Sequence, residues 1–213
     1  MRPRFFSRRV SMDKKFIVFD GPDGCGKSTQ VALAAEYLGR KGADVVVTRD
    51  PGGTQVGEKV RALLLDPALD AMSIRAELLL YMASRAELVD KVVAPALKDG
   101  KIILGERFQL SSVVYQGIAL GVGVDAVTSI GAFATAGVEP DLTVLLDVDT
   151  ETGMRRCGKD LDRIEQRGMD FHRRVRKGFL DAAEGLPRVR VVDASRPVDG
   201  VAAEVRSILD DVV

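Results

Sequence analysis

The stretch that decides the fold is Phe16-Ile17-Val18-Phe19-Asp20-Gly21-Pro22-Asp23-Gly24-Cys25-Gly26-Lys27-Ser28-Thr29. It begins with an apolar run of aromatic and β-branched residues, which predicts a buried strand. The pattern Gly21-x-x-x-x-Gly26-Lys27-Ser28 follows, and residues 29–40 continue with the periodicity of a helix. A strand, this glycine loop and a helix, in that order, are the context of a phosphate-binding loop. The sequence therefore predicts a nucleoside triphosphate site rather than a plain glycine-rich turn.

The residue types in this loop suit a bound triphosphate. Glycines allow positive φ, so successive N–H groups can face one anion. The helix that begins near Lys27 adds the positive end of its dipole. We expect Lys27 to contact the β- and γ-phosphates and the Ser28 hydroxyl to ligate Mg²⁺. The predicted nucleotide contacts are Gly21, Pro22, Asp23, Gly24, Cys25, Gly26, Lys27, Ser28 and Thr29.

Length and composition exclude several classes of protein. The 213 residues suit one α/β domain, here residues 13–213. Lys and Arg together number 31, as do Asp and Glu, so the net charge favours neither a nucleic acid nor a membrane as partner. No apolar run reaches the roughly 18 residues that a membrane span needs. Cys25 and Cys157 have neither a disulfide pattern nor a metal-binding spacing, so we expect a reducing, cytoplasmic location.

The first 12 residues differ from the rest. They are basic and lack the apolar segment of a secretory signal. We predict a disordered extension, residues 1–12; the alternative is that Met12 is the functional start.

Strand-like and helical segments alternate after the glycine loop. Further strands are predicted at 44–48, 101–105, 141–147 and 188–192. This alternation predicts an α/β class: a three-layer P-loop NTPase fold with a five-stranded parallel sheet flanked by helices. The charged stretch Arg155–Gly168 interrupts a helical pattern, and glycines near its ends make a hinged lid plausible. A solvated charged loop is the alternative.

Two arginines follow predicted strands, Arg49 after the second and Arg107 after the third. Ligands of open parallel sheets bind at this carboxyl edge. Because guanidinium groups hold phosphate oxygens bidentately, two such arginines predict a second anion beside the triphosphate, with Arg85 joining them from a helix. The alternative is that each arginine pairs with a nearby carboxylate. The absence of an Asn-Lys-x-Asp tetrad weakens a GTPase and favours a small-molecule kinase.

From Phe16 to Val213 the chain resembles the thymidylate kinase family, whose members phosphorylate dTMP to dTDP with ATP. The resemblance rests on seven ordered blocks: Asp23 in the loop, Thr48-Arg49-Asp50-Pro51-Gly52-Gly53-Thr54, Glu77-Leu78-Leu79-Leu80-Tyr81-Met82-Ala83-Ser84-Arg85, Glu106-Arg107-Phe108, Ser111-Ser112-x-x-Tyr115-Gln116-Gly117, Pro140-Asp141-Leu142-Thr143 and Asp162-Arg163-Ile164-Glu165. Residues 193–195 also resemble the family's adenine-side loop. The resemblance implies ATP, dTMP and Mg²⁺ as the bound species, with Glu106 beside the metal.

The resemblance also implies roles on the acceptor side. Asp23 would accept a hydrogen bond from the sugar 3′-hydroxyl, and thymine would stack on Tyr81. Ser112 would contact the edge of the base, with Gln116 as a weaker candidate. Tyr115 would pack beneath the sugar where a ribose 2′-hydroxyl would collide. Tyr81 and Arg85 are four residues apart, so a helix places both on one face.

The predicted chemistry is positioning and charge stabilisation. An acceptor phosphate, whose second pKa is about 6, needs no general base, and we expect His172 on a solvated face. Lys27 and Mg²⁺ would neutralise the donor phosphates, while Arg49 and Arg107 hold the acceptor. Gly24 stands where one branch of the family has an arginine, so the resemblance implies that the transition-state charge comes from the lid, as in the other branch. The candidate is Arg163, among residues Arg155, Arg156, Lys159, Arg163 and Arg167.

Two other functions remain open from the sequence. One is a nucleotide-binding regulator on a kinase fold with little turnover. The other is a kinase for a different deoxynucleoside monophosphate.

Three further predictions concern local features. We expect the Cys25 thiol, among loop N–H groups, to have a lowered pKa. The resemblance implies a cis Asp50–Pro51 bond. It also implies a homodimer through the helices at 73–98 and 110–120.

Overall fold

The computed structural model describes residues 14–213, and the predicted extension at residues 1–12 lies outside the described residues. The chain forms one parallel sheet whose strands are β1 (Lys15–Asp20), β2 (Val45–Arg49), β3 (Ile102–Glu106), β4 (Leu142–Asp147) and β5 (Val189–Asp193). Their spatial order is β2-β3-β1-β4-β5, and every neighbouring pair is parallel. The predicted α/β fold with a five-stranded parallel sheet is confirmed.

Helices connect these strands throughout residues 14–213. Their bounds are α1 (Lys27–Arg40), α2 (Gln55–Leu65), α3 (Ile74–Leu88), α4 (Ala94–Lys98), α5 (Gln109–Ser112), α6 (Val124–Thr135), α7 (Thr150–Cys157), α8 (Met169–Ala183) and α9 (Val198–Asp210). A 3₁₀ turn spans Pro67–Leu69, and π-helical segments span Val89–Val93 and Val113–Ala119. None of the helices in this part of the chain is long and apolar enough to cross a membrane.

Both faces of the sheet are buried, which makes the fold three-layered. Side chains of a strand alternate between faces, so Ile17 and Phe19 of β1 pack with α1 and α9. Phe16 and Val18 point the other way and pack against the helix that ends in α4. This double burial explains why β1 is a continuous apolar run.

The strand order places the carboxyl ends of β1 and β3 side by side. β1 lies at the centre between β3 and β4, so connections leave it toward both sides of the sheet. Open α/β sheets bind ligands in the crevice at such a point. The glycine loop after β1 and Arg107 after β3 therefore meet at one edge.

The helix from Ile74 to Lys98 is interrupted once. Pro95 lies near its end, and the irregularity lies one turn before it, at Val89–Val93. Because proline clashes with the carbonyl four residues before it, the preceding turn widens, and Ala94 N–H bonds Val89 O. The helix begins with a side-chain cap, because the Ser73 hydroxyl accepts from Ala76 N–H. The predicted cis bond between Asp50 and Pro51 is also confirmed.

Candidate active site

A cavity of about 800 Å³ opens at the carboxyl edge of the sheet. Its volume falls in the range of roughly 300–1,000 Å³ that is usual for ligand pockets. The structure brings most of the predicted site residues onto its wall: Asp23, Gly24, Cys25, Gly26, Lys27, Ser28, Thr29, Tyr81, Arg85, Glu106, Arg107, Ser112, Tyr115 and Gln116. Gly21 and Pro22 lie behind that wall and present their carbonyl oxygens to Lys27 Nζ, at 3.3 and 2.8 Å.

The glycine loop has the backbone that a phosphate cradle needs. Gly26 precedes α1 with φ +92°, and Gly24 has φ +71°. A Cβ on Gly24 would lie 1.9 Å from Gly153 O, so α7 approaches this position too closely for any side chain. An arginine in the loop could not be accommodated there without a shift of α7.

Arg107 lies between the loop and the acceptor side of the cavity. Its φ is +64°, an uncommon conformation for a residue with a side chain. Such strain persists where the surroundings hold it, typically at functional sites. Here Arg107 Nη1 donates to Gly21 O and to Ser111 Oγ, each at 3.0 Å. The guanidinium group also lies over the ring of Tyr115, at 5.2 Å.

Asp23 is the partner of Arg107 across the cavity. Its Oδ1 accepts from Arg107 Nη2, and its Oδ2 accepts from the Tyr115 hydroxyl at 2.8 Å. Burial alone would raise the pKa of Asp23, but the charges of Arg107 and Lys27 outweigh it, so this pKa is lowered. Asp23 therefore stays ionised, and its remaining lone pairs can accept a further hydrogen bond.

A second buried carboxylate supports this arrangement from below. Asp20 is fully buried and accepts from Gly21 N, Ser111 N and Ser111 Oγ. Burial raises the pKa of Asp20 despite the nearby charge of Arg107. Since it joins the end of β1 to α5, Asp20 fixes how the loop lies against the acceptor side.

The deepest part of the acceptor side is built around Arg85, which is 1% exposed. Its Nε donates to Asp50 Oδ2 at 2.5 Å, and its Nη2 donates to Ser112 Oγ at 2.8 Å and to Phe108 O at 3.2 Å. Its Nη1 donates to Gln109 Oε1 at 2.6 Å. Arg85 thus joins β2, α3 and α5 in one buried network.

The aromatic residues lie above this network. Tyr81 is half-buried on the cavity wall, one turn before Arg85 on α3. Burial raises the pKa of Tyr81. Tyr115 packs edge-on against Phe171 and Phe179, with ring centroids 6.1 and 6.0 Å away, and this packing holds its ring in place.

Arg49 and Arg163, both predicted as catalytic, do not line the cavity. Arg49 lies instead on a smaller neighbouring pocket with Ser28, Glu58 and Glu106, and its Nη2 lies 2.7 Å from Glu58 Oε2. The reason is strand alternation, because Thr48 and Asp50 point inward while Arg49 points to the other face. The predicted alternative, pairing with a carboxylate, describes Arg49.

Arg163 is buried beneath α2 and α3 rather than free in a lid. Its Nε donates to Leu64 O at 2.8 Å, and its Nη2 lies 2.8 Å from Glu77 Oε2 as an ion pair that lacks hydrogen-bond alignment. Arg167 also donates to Glu77 Oε2, at 2.6 Å. Residues 163–167 are therefore anchored at their base to α3.

Two arginines on the cavity wall were not predicted to act there as they do. Arg61 of α2 is half-buried on the wall and donates to Pro51 O at 3.1 Å. The sequence could have indicated this position, because Arg61 shares a helical face with Gly57 and Leu64, which are buried. Arg156, at the end of α7, reaches Ala194 O at 3.1 Å. Residues 194–198 complete that wall, opposite the glycine loop.

Two predictions about titratable groups were wrong. Cys25 is 2% exposed, and its burial raises the thiol pKa although Lys27 lies close. His172 is buried rather than solvated: its Nε2 lies 3.2 Å from Glu165 O and its Nδ1 lies 3.9 Å from Asp23 Oδ2. It connects the base of the predicted lid to the acceptor side.

Comparisons with known proteins agree with this geometry. The family model described as thymidylate kinase matches residues 19–205. A thymidylate kinase from Symbiobacterium thermophilum is 45% identical over 93% of this chain and 94% of its own length. One from Deinococcus radiodurans is 46% identical over 89% and 93%, respectively. The crystal structure of thymidylate kinase from Ehrlichia chaffeensis superposes with a TM-score of 0.79 at 33% identity, covering 93% of this chain and all of that one.

The matches extend from β1 into α9, so they include the glycine loop, the Arg85 network and the base of the predicted lid in a single alignment. The chain belongs to the thymidylate kinase family.

Proposed function

We propose that the protein transfers the γ-phosphoryl group of ATP to dTMP, giving ADP and dTDP. The observation that carries this proposal is the glycine loop as a shared wall. One side of the loop presents Lys27 and its backbone N–H groups, and Asp23 on the same loop is bonded to Arg107 on the acceptor side. Donor and acceptor would therefore meet at one loop in one cavity.

ATP would occupy the part of the cavity over α1. In the structure Lys27 Nζ bonds the loop carbonyls, and it would exchange these for the β- and γ-phosphates. The adenine would lie between Arg156 and residues 194–198, where the planar guanidinium group can stack on it. Gln30 supports this wall by donating to Val198 O at 3.2 Å.

The described residues fit Mg²⁺ at the loop. Ser28 Oγ donates to Glu106 Oε1 at 3.0 Å, so a hydroxyl and a carboxylate, both hard oxygen ligands, lie together beside Lys27. Within residues 14–213 no three His, Cys, Asp or Glu side chains form a metal cluster. Mg²⁺ would therefore take its other ligands from phosphate oxygens and water, and it would neutralise donor phosphate charge.

The acceptor would occupy the part bounded by α2, α3 and α5. Arg107 and Arg61 would hold its phosphate, since both guanidinium groups lie on the wall and Arg49 does not. The base would stack on Tyr81, with Ser112 and Gln116 along its edge. Asp23 would accept the 3′-hydroxyl, and Tyr115 would lie beneath the sugar.

Catalysis would come from position and charge. No general base is required, and the buried Asp23 and His172 are engaged with neighbours. We propose residues 155–168 as a lid whose base is fixed by Arg163 and Arg167. Because Arg156 would lie at the adenine, Arg155 is then the arginine of this segment left to reach the transferring group.

We also propose a homodimer through α3 and α6, which pack against each other. Here α6 replaces the helix predicted at residues 110–120, most of whose residues are buried within the chain itself. Phe133 of α6 is 90% exposed and Leu79 of α3 is 56% exposed. Ser129 and Ala126, one and two turns before Phe133, are exposed and uncharged. A second copy with the same face would bury these side chains. Sedimentation of Phe133→Asp should show monomers. The control is Val198→Asp, at an exposed apolar position on α9, which should leave the dimer intact. A monomeric native protein would refute this proposal.

The deciding experiment is ADP formation from ATP and Mg²⁺ with dTMP, dUMP, dCMP or dGMP, with dTDP identified by chromatography. We expect dTMP to accelerate ADP formation most. Binding of dTMP without acceleration would refute the kinase and favour a nucleotide-binding regulator. Preference for another acceptor would refute the thymidylate assignment alone.

A further inference from the structure

The side-chain amide of Gln116 can face the cavity in only one orientation. Its Nε2 donates to Glu77 Oε1 at 2.9 Å, and both residues are buried. A carboxylate accepts hydrogen bonds and donates none, so the NH₂ group must face Glu77. Gln116 lies on the cavity wall, and within residues 14–213 no donor contacts its Oε1. Its carbonyl oxygen is therefore the atom offered to a ligand.

Two arginine side chains fix the orientation of the Glu77 carboxylate. The Nη2 atoms of Arg163 and Arg167 lie 2.8 and 2.6 Å from its Oε2. A fully buried carboxylate is tolerated when it is paired in this way. Because Oε2 faces both arginines, Oε1 is left for the amide of Gln116.

Ser112 is oriented in the opposite sense. Arg85 Nη2 donates to Ser112 Oγ at 2.8 Å, and a guanidinium group never accepts. The hydroxyl hydrogen of Ser112 is therefore free to donate into the cavity. Ser112 and Gln116 are four residues apart on one helix, so a donor and an acceptor lie side by side.

This pair complements one pyrimidine edge. Thymine offers O4 as an acceptor beside N3–H as a donor, whereas cytosine offers an N4 amino donor beside N3 as an acceptor. A site built for one pattern rejects the other because its buried groups are left unpaired. Uracil has the same edge as thymine, so this pair treats dUMP and dTMP alike.

We infer that Glu77, held by Arg163 and Arg167, is a positioning residue that selects thymine over cytosine by fixing the amide of Gln116. The inference rests on the proposed function, and it assigns a specificity role to two arginines that the sequence had suggested for catalysis. It gives residues 163–167 a task at the acceptor base, away from the transferring phosphoryl group.

The test measures kcat/KM for dTMP and dCMP in native enzyme and in Glu77→Gln. The new amide would accept from the arginines with its oxygen and donate to Gln116, which must then turn its NH₂ group to the cavity. We expect the dTMP/dCMP ratio to fall roughly 10- to 100-fold. An unchanged ratio in folded Glu77→Gln would overturn the inference, whereas a native enzyme inactive on dTMP would instead refute the proposed function.

Two further variants decide the matter if Glu77→Gln fails to fold. Gln116→Leu removes the acceptor, so dTMP should lose efficiency while dCMP does not. The exchanged pair, Glu77→Gln with Gln116→Glu, keeps the charge of the cluster and restores an acceptor, so the ratio should return toward the native value. Arg188→Gln, which breaks an exposed pair with Glu139 outside this cluster, is the control, and the native ratio should persist. Equal losses for both substrates in Gln116→Leu would contradict the proposal.

Discussion

The donor half and the acceptor half of the cavity are built by different means. The phosphate-binding part of the donor half is one continuous segment, β1, the glycine loop and α1, and it presents mainly backbone N–H groups. The acceptor half takes side chains from α2, α3, α5 and the loop after β3, and buried ion pairs such as Arg85–Asp50 hold them. The geometry of a continuous segment follows from its own residue types. The acceptor wall is a composite wall, assembled from several elements, so its geometry depends on pairings between residues that are distant in sequence. The two halves should therefore respond differently to mutation.

The largest effect is expected from Lys27→Met on the donor side. Lys27 is 6% exposed, and its Nζ lies 2.8 Å from Pro22 O of the loop. Its loss should lower kcat roughly thousandfold, because the charge that develops on the phosphates is no longer stabilised. Single-turnover formation of dTDP measures this effect. Lys59→Met, at an exposed lysine of α2, should keep the native rate; a similar loss there would remove the contrast.

Arg107→Gln tests the acceptor side. It removes the guanidinium group that bonds Asp23, Gly21 O and Ser111. We expect kcat/KM for dTMP to fall roughly hundredfold, with a smaller change in the KM for ATP. Steady-state kinetics with each substrate varied in turn separates the two constants. Arg188→Gln, which breaks an exposed pair with Glu139, is the control. Equal losses for ATP and dTMP would show that the two halves are not separable.

Sequence reasoning was most successful where the chemistry is local. The loop pattern predicted the positive φ of its glycines and the start of α1 at Lys27, since both depend on residues close in sequence. The strand pattern also predicted the sheet, because burial on both faces leaves an uninterrupted apolar run.

Sequence reasoning failed where the partner of a side chain is distant in sequence, or where burial determines the pKa of a group. Arg163 and Glu77 are 86 residues apart in sequence, and nothing near Arg163 indicates that pairing. Arg49 was predicted to bind the acceptor because it lies at the end of β2. The side of the sheet that its side chain faces is set instead by the alternation of Thr48, Arg49 and Asp50 along the strand. For Cys25, the loop N–H groups suggested a low pKa, but desolvation outweighed them.

Asp23→Asn probes the residue that joins the two halves. Activity should fall roughly tenfold, because a weaker acceptor faces the sugar and Arg107 loses its partner. Because the pKa of Asp23 is lowered in the fold from its ordinary value of 3.8, its contribution to stability is complete above that value and disappears as the pH falls through the lower, folded value.

Urea unfolding between pH 3 and pH 7 checks the stability part of this prediction. The difference in unfolding free energy between native protein and Asp23→Asn should be constant near neutrality and should shrink toward pH 3. Asp125→Asn, at an exposed position of α6, serves as the control and should show a much smaller difference. A difference that grows on acidification would contradict the assigned direction.

The smallest effect is expected from Arg49→Gln, and it separates two arginines that the sequence could not distinguish. The pair with Glu58 is half-exposed, with side chains 50% and 43% accessible, so its loss should cost about 0.2–1 kcal/mol of stability. Activity should change less than roughly twofold, since Arg49 is outside the cavity. Arg61→Gln, a matched change on the wall, should instead raise the KM for dTMP several-fold. If Arg49→Gln were the more damaging change, the acceptor phosphate would lie on the opposite face of β2, and the composite wall proposed for the acceptor would have to be rebuilt around Arg49.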